Sequence, residues 1–341
     1  MKGPMKEYID TIIVGGGQAG LAVSYYLTEQ GRSHVVLEQS SQPANAWPNQ
    51  RWDSFTFVTP NWMTRLPGAE YCGTDLDEFM ARSEIVTFFE QYVERFKLPV
   101  RFGVQVTAIE QESSSQAYTI TTSKGVFQSA NVVNATGLFQ KPKIPPFSTE
   151  FPAEIMQLHS SEYRNPDLLP DGGVLVIGSG QSGCRIAEEL NRAGKKVYLS
   201  VGSTGRAPRR YRGKDIFWWL DAIGLSNRTV DQLKSPRDKF KSNPHLSGAS
   251  GGHSVNLHRF ARDGVVLLGY ISGLKNGSVH FTPDLRESLA KAVRFEADLV
   301  KTIDDYIEKN KLDVPKEELF QLMDGYDAEL IRELDLTQID I

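Results

Sequence analysis

One pattern occurs twice in this chain and constrains its fold more than any other feature: a short apolar run, a glycine turn, then an amphipathic stretch. The first copy is Tyr8-Ile9-Asp10-Thr11-Ile12-Ile13-Val14 followed by Gly15-Gly16-Gly17-Gln18-Ala19-Gly20. The second is Val174-Leu175-Val176-Ile177 followed by Gly178-Ser179-Gly180-Gln181-Ser182-Gly183. Both fit G-x-G-x-x-G between a buried strand and a helix. The first glycine permits the tight turn, the second lets backbone approach a pyrophosphate, and the third lets the helix pack close on the strand. The free N–H groups and the positive dipole end of the helix then face the phosphates. The expected fold is α/β, with two Rossmann-like dinucleotide-binding domains, the second inserted in the first.

The surrounding periodicity supports this order. Helical spacing over 19–30 and an apolar run at 35–37 complete a βαβ unit. Residues 44–68 are rich in Pro, Trp and Asn without a sustained period and read as a long, cofactor-facing loop. A helix is expected over 82–96. Alternation over 104–109, 118–122 and 125–128 predicts a small antiparallel β-meander, and 130–135 a buried strand. After the second glycine turn, a helix to 193, strands at 196–200 and 265–271, and helices over 284–309 and 316–334 are expected. The domains then divide as 1–145 (first dinucleotide-binding domain, first part), 146–312 (second dinucleotide-binding domain, with a helical insertion) and 313–341 (return to the first domain), with crossings near 142–146 and 313–315.

The two turns differ in the charge that follows them. Glu38 lies at the end of the strand after the first turn, where a carboxylate hydrogen-bonds the ribose hydroxyls of an adenosine. The matching stretch after the second turn is Ser200-Val201-Gly202, with no acid, and Arg206, Arg209, Arg210 and Arg212 follow. Absence of a carboxylate removes repulsion of a 2′-phosphate, and arginine grips phosphate with a planar fork. The first site therefore suits a dinucleotide with a free 2′-hydroxyl and the second suits NADP; a solvated basic loop is the alternative for the arginines. Two such sites in one chain suggest an electron relay, FAD held and NADPH diffusing.

Composition narrows the function classes. With 38 Lys+Arg against 42 Asp+Glu, the net charge is −4, which argues against nucleic acid or anionic lipid as the main partner. No apolar stretch reaches the length of a membrane span or a signal peptide. The two cysteines, Cys72 and Cys184, are isolated, which favours a reducing, cytoplasmic compartment. Their isolation also argues against disulfide reductase chemistry, which needs a redox-active pair. His253 and His258 have no acid at ligand spacing, so no metal site is expected.

Further motifs carry a family resemblance. They are Ala46-Trp47 with Arg51-Trp52-Asp53-Ser54, Thr59-Pro60-Asn61-Trp62, Ala135-Thr136-Gly137, and His159-Ser160 with Tyr163 before the second turn. The sequence resembles the flavin-dependent monooxygenases of the flavin-containing and Baeyer–Villiger type, and more narrowly the bacterial CzcO-type flavoproteins labelled as involved in K+ transport. The resemblance covers nearly the whole chain. It implies that NADPH reduces FAD by hydride transfer and that O2 is then activated as a C4a-(hydro)peroxide to oxygenate a small molecule. An NAD(P)H oxidase and a non-catalytic dinucleotide-binding sensor are the competing readings.

The resemblance implies these site residues. Gly15, Gly17, Gln18, Ala19, Gly20, Glu38, Trp47, Arg51, Trp52, Val106, Thr136 and Gly137 would hold FAD. Gly178, Gly180, Gln181, Ser182, Gly183, Ser200, Arg206, Arg209 and Arg210 would hold NADP. Asn61 would act catalytically, as a hydrogen-bonding partner of flavin, NADP or the peroxide. Trp47, Trp52 and Trp62 would wall the isoalloxazine, ordinary packing being the alternative; His159 is read as fixing the segment before the second turn. The partners are a small-molecule substrate and O2, with a homodimer left open. The family's Phe and Gly six and four residues before its His are here Ala153 and Ile155. The family also carries a further strand, a second Ala-Thr-Gly-like turn and a Gly-Asp segment that do not occur by residue 341. The chain is thus expected to be a truncated product or a short member, holding FAD weakly when taken alone.

Overall fold

The computed structural model describes residues 7–111, 117–233, 235–240, 244–317, 319 and 330–336. Helices and strands mix throughout, and each glycine turn stands at the end of a strand in its own parallel sheet.

The first sheet has the order Asn131–Asn134, Thr11–Val14, His34–Glu38, Val100–Phe102, all parallel. Its central strands are buried on both faces, as continuous apolar runs require. Helix Gln18–Glu29 connects the central pair, and helix Arg82–Arg95 leads into the edge strand with Ile85, Phe89 and Tyr92 buried. The apolar run that opens the chain divides in two. Glu7–Tyr8 pairs in parallel with Gly125–Ser129 of the meander, and Thr11–Val14 then enters the parallel sheet. The meander itself is antiparallel, formed by Val106–Gln111, Tyr118–Thr122 and Gly125–Ser129.

The second sheet has the order Val174–Ile177, Val197–Ser200, Val266–Leu268, again parallel. The strand expected over 265–271 is interrupted. A Cβ at Gly269 would stand 1.9 Å from the Thr282 carbonyl oxygen, so the chain passes close there. It then enters an antiparallel hairpin, Ile271–Lys275 with Ser278–Phe281. Helix Leu285–Asn310 follows and buries Leu289, Leu299 and Ile303.

The end of the described chain differs from expectation. Residues 316, 317, 319 and 330–332 carry no regular structure, and Glu333–Asp335 is a strand antiparallel to Ser278–Phe281. Leu334 and Leu336, two residues apart, present one apolar face to Tyr198, Leu268 and Val279. This strand thus joins the second half of the molecule instead of returning to the first. The remainder of the helix expected over 316–334, at 318 and 320–329, lies outside the described residues.

One hydrophobic cluster runs through both halves. Leu21, Trp52, Phe55 and Ile85 from the first meet Tyr163, Cys184, Ala187 and Leu199 from the second. Among the described residues no helix is long and apolar enough to cross a membrane.

Candidate functional site

The two glycine turns are built alike. Gly15 has φ +107°, and a Cβ there would stand 2.6 Å from the Ala135 carbonyl oxygen. A Cβ at Gly20 would lie 2.0 Å from the Gly15 carbonyl oxygen, which is why the helix sits directly on the turn. Gly17 is the opposite case, with no atom within 4 Å of an added Cβ, so its outer side is open. Helix Gln18–Glu29 starts at Gly17 with no side-chain cap and no acidic residue in its first turn. Its first N–H groups are therefore free for an anion. At the second turn Gly178 has φ +101°, Gly183 would place a Cβ 1.9 Å from the Gly178 carbonyl oxygen, and Gly180 is open. Helix Gln181–Arg192 likewise lacks a side-chain cap and a first-turn acid. This is the donor set a pyrophosphate needs.

Glu38 ends its strand beside the first turn, buried. Its Oε2 accepts the Gly16 N–H at 2.7 Å, and its Oε1 accepts the Ser40 N–H at 2.9 Å and the Ser40 hydroxyl at 2.6 Å. The carboxylate is thus held against the turn. Gln18 and Ala19 are exposed on the first helical turn, and Val106 is half-buried at the start of the meander. Thr136 is exposed and donates its hydroxyl to Asn134 Oδ1 at 2.8 Å; Gly137 has φ +81°.

The loop after Ala44 brings the expected aromatic residues together. Trp47, on the short helix Ala46–Asn49, is half-buried, with the Arg51 guanidinium 5.2 Å from its ring centroid. Desolvation holds the Arg51 pKa below its ordinary value. Trp52 is placed otherwise. It is 3% exposed, edge-to-face on Phe55 and covered by the Arg185 guanidinium at 5.1 Å. In this position it supports the loop from inside and offers no open face. Trp62 stays at the surface.

Asn61 begins the single turn Asn61–Met63 and is buried. Its Nδ2 donates to the Asp75 carbonyl at 2.9 Å, while Oδ1 is buried without a partner. A buried acceptor left without a partner is uncommon. Thr64 Oγ1, one turn on, is in the same condition.

At the second turn the side chains have other partners than those expected. Gln181 Nε2 donates to the Leu246 carbonyl and its Oε1 accepts the Leu246 N–H, each at 3.0 Å. The Ser200 hydroxyl donates inward to the Gly269 carbonyl at 3.0 Å. Ser182 is exposed and free to face a ligand. Arg206 is buried and paired with Glu296, with Nε at 2.9 Å from Oε2. Arg209 is buried on Asp215, donates to the Val58 carbonyl at 2.7 Å, and covers the Phe79 ring at 4.4 Å. Neither presents its charge to a phosphate. Arg210 is exposed, its guanidinium donating to the Gly251 carbonyl at 2.9 Å. A run of arginines gives no sign of which members turn inward; each buried one here has found an acid far along the chain or in the next hairpin.

Two residues escaped the sequence reading. His245 is buried and donates from Nε2 to the Ser179 carbonyl inside the second turn. Burial holds its pKa below the ordinary value, against the opposing effect of that bond. Arg185, on the helix of the second turn, reaches into the loop of the first half. No local spacing announces either contact, because both partners are distant in sequence. His159 bonds Ser161 through Nδ1 at 2.8 Å, and the Tyr163 hydroxyl donates to Glu189 at 2.9 Å. Cys184 is buried and Cys72 exposed, both free.

Comparison with known proteins identifies the family. Residues 12–222 match the pyridine nucleotide-disulphide oxidoreductase family. An uncharacterized CzcO-like oxidoreductase of Geobacillus kaustophilus is 38% identical over 65% of this chain and 63% of its own, so the chain spans less than two thirds of that relative. The CzcO oxidoreductase of Bacillus subtilis is 30% identical over 80% of this chain and 76% of its own. A flavin monooxygenase from Stenotrophomonas maltophilia shares the fold, with a TM-score of 0.61 and 21% identity over 81% of this chain and 74% of its own. The chain belongs to the pyridine nucleotide-disulphide oxidoreductase family, in the group of the CzcO oxidoreductases.

Proposed function

We propose that the protein is an NAD(P)H-dependent FAD monooxygenase, with each parallel sheet serving as one dinucleotide-binding unit. The observation that carries this is the pair of uncapped helix N-termini behind glycine turns whose outer sides are open. Glu38 marks the first as the FAD site, because a carboxylate fixed at the strand end is placed to accept ribose hydroxyls. Ser200-Val201-Gly202 marks the second as a site for NADP(H), because no carboxylate there repels a 2′-phosphate. Arg206 and Arg209 take no part in that preference. Arg210 remains as an exposed cation of the loop.

FAD, when bound, accepts a hydride from the nicotinamide and supplies the electrons that activate O2. The protein's own residues hold and shield it. The helix at Gln18 would hold the pyrophosphate, Trp47 and Arg51 would lie beside the ring system, and Asn61 Oδ1 would be available as a hydrogen-bond acceptor. The fold shared with a flavin monooxygenase makes oxygenation the reading to test first, before simple oxidation. The test supplies FAD-loaded protein with NADPH, O2 and either a thioether or a cyclic ketone. NADPH use in excess of hydrogen peroxide, with oxygenated product, is the expected result. Electrons recovered entirely as peroxide would overturn the monooxygenase reading.

A further inference from the structure

We propose that Arg185 is a positioning residue that sets the spacing between the two nucleotide sites, an inference that rests on the reading just given. Arg185 lies one turn into helix Gln181–Arg192, which begins at the second glycine turn. Its guanidinium leaves its own half of the molecule. Nη1 donates to the Thr56 carbonyl and Nη2 to the Thr56 hydroxyl, both at 2.8 Å. The cation lies 5.1 Å from the Trp52 ring centroid and 4.9 Å from that of Phe55. These residues belong to the loop that also carries Trp47 and Arg51.

The choice of residue is informative. Arg185 is 5% exposed, and burial pulls its pKa down to about 10. Filling this space with an aliphatic side chain would avoid the desolvation of a charge. An aliphatic contact, however, is non-directional and lets surfaces slide. A planar fork bonded to one backbone carbonyl and one hydroxyl, between two rings, permits a single register. Neighbouring contacts grip the same loop. Ser54 donates to Glu189 at 2.6 Å, Arg209 donates to the Val58 carbonyl, and a Cβ at Gly248 would stand 1.9 Å from the Phe57 carbonyl oxygen. The helix that presents the second turn is thereby indexed to the loop flanking the first, across an interface of a kind that otherwise allows relative motion. Hydride transfer depends steeply on such spacing.

The test compares wild type with Arg185→Met and Arg185→Lys. Three quantities are read: amide hydrogen exchange over 52–58 in FAD-free protein, affinities for FAD and NADP+, and the anaerobic rate of flavin reduction at saturating NADPH. Arg185→Met should speed exchange over 52–58 and leave both affinities within about threefold. It should slow reduction by about a hundredfold. Lysine keeps the cation over the rings and should recover about tenfold of that loss. If Arg185→Met does not fold, Thr56→Val, which removes only the hydroxyl acceptor, should slow reduction by about fivefold. A wild-type reduction rate in the soluble variants overturns the inference, as does a loss that tracks weakened FAD or NADP+ binding. Wild-type protein that binds both nucleotides without flavin reduction sinks the underlying functional reading instead.

Discussion

Replacing Arg206 with alanine should unfold the second half more readily without selectively harming NADPH use. Arg206 is 3% exposed and Glu296 is 7% exposed, and Nε and Nη2 both donate to the same carboxylate oxygen. The substitution leaves that carboxylate in the interior beside the buried Ala292 and Leu299. Breaking a buried pair from one side costs about 3–5 kcal/mol. At roughly 2–4 °C per kcal/mol for a unit of this size, the melting temperature should fall by about 6–20 °C. Exchanging both partners for apolar residues, as in Arg206→Met with Glu296→Leu, should restore most of the loss. Scanning fluorimetry gives the melting temperature, and KM values for NADPH and NADH on the folded variant give coenzyme preference. An unchanged melting temperature with KM raised for NADPH alone would show that Arg206 grips a 2′-phosphate, and would refute the pairing argument.

Three further outcomes follow from the same contacts. Gly183→Ala should prevent proper packing of the second turn, because its Cβ would meet the Gly178 carbonyl oxygen at 1.9 Å, whereas Gly180→Ala should fold normally and lose NADP+ affinity in calorimetry. Glu38→Ala strands the Gly16 N–H and removes the ribose acceptor, so the FAD dissociation constant should rise by about 5- to 150-fold in a fluorescence titration. Burial, with Arg206 and Arg262 nearby, holds His258 below the ordinary 6.5, and burial does the same to His245. The unfolded chain then binds protons that the folded chain refuses, so stability is full above about pH 6.5 and declines as the pH falls below it. Both His258 ring nitrogens are buried without partners, so His258→Leu should flatten that decline in melting temperature measured from pH 7.5 to 5.

Much of the architecture was legible because it rests on local rules. The glycine turns, their flanking strands and the long helix Leu285–Asn310 follow from periodicity and from backbone conformations that only glycine adopts easily. The tail is not legible in this way, since Glu333–Asp335 is a strand only by pairing with Ser278–Phe281, a partner more than fifty residues earlier. The site was legible on its backbone side and opaque on its side-chain side. Gly17, Gly180 and Glu38 stand where their motif places them. Arg206, Arg209 and Trp52 are residue types that suit a ligand site, yet each is turned inward by a partner that sequence spacing cannot reveal: Glu296, Asp215 and Arg185. Tertiary partners decide whether a charged or aromatic side chain serves a ligand or the core.

The central claim is that the first turn holds FAD and the second delivers a nicotinamide to it. Anaerobic titration of FAD-loaded protein with NADPH tests it most directly, followed through the visible absorbance of the flavin. The account predicts full bleaching at one equivalent of NADPH per flavin, abolished in Gly180→Ala at the same concentration and recovered by excess NADPH. A flavin that dithionite bleaches but NADPH and NADH leave untouched would contradict it.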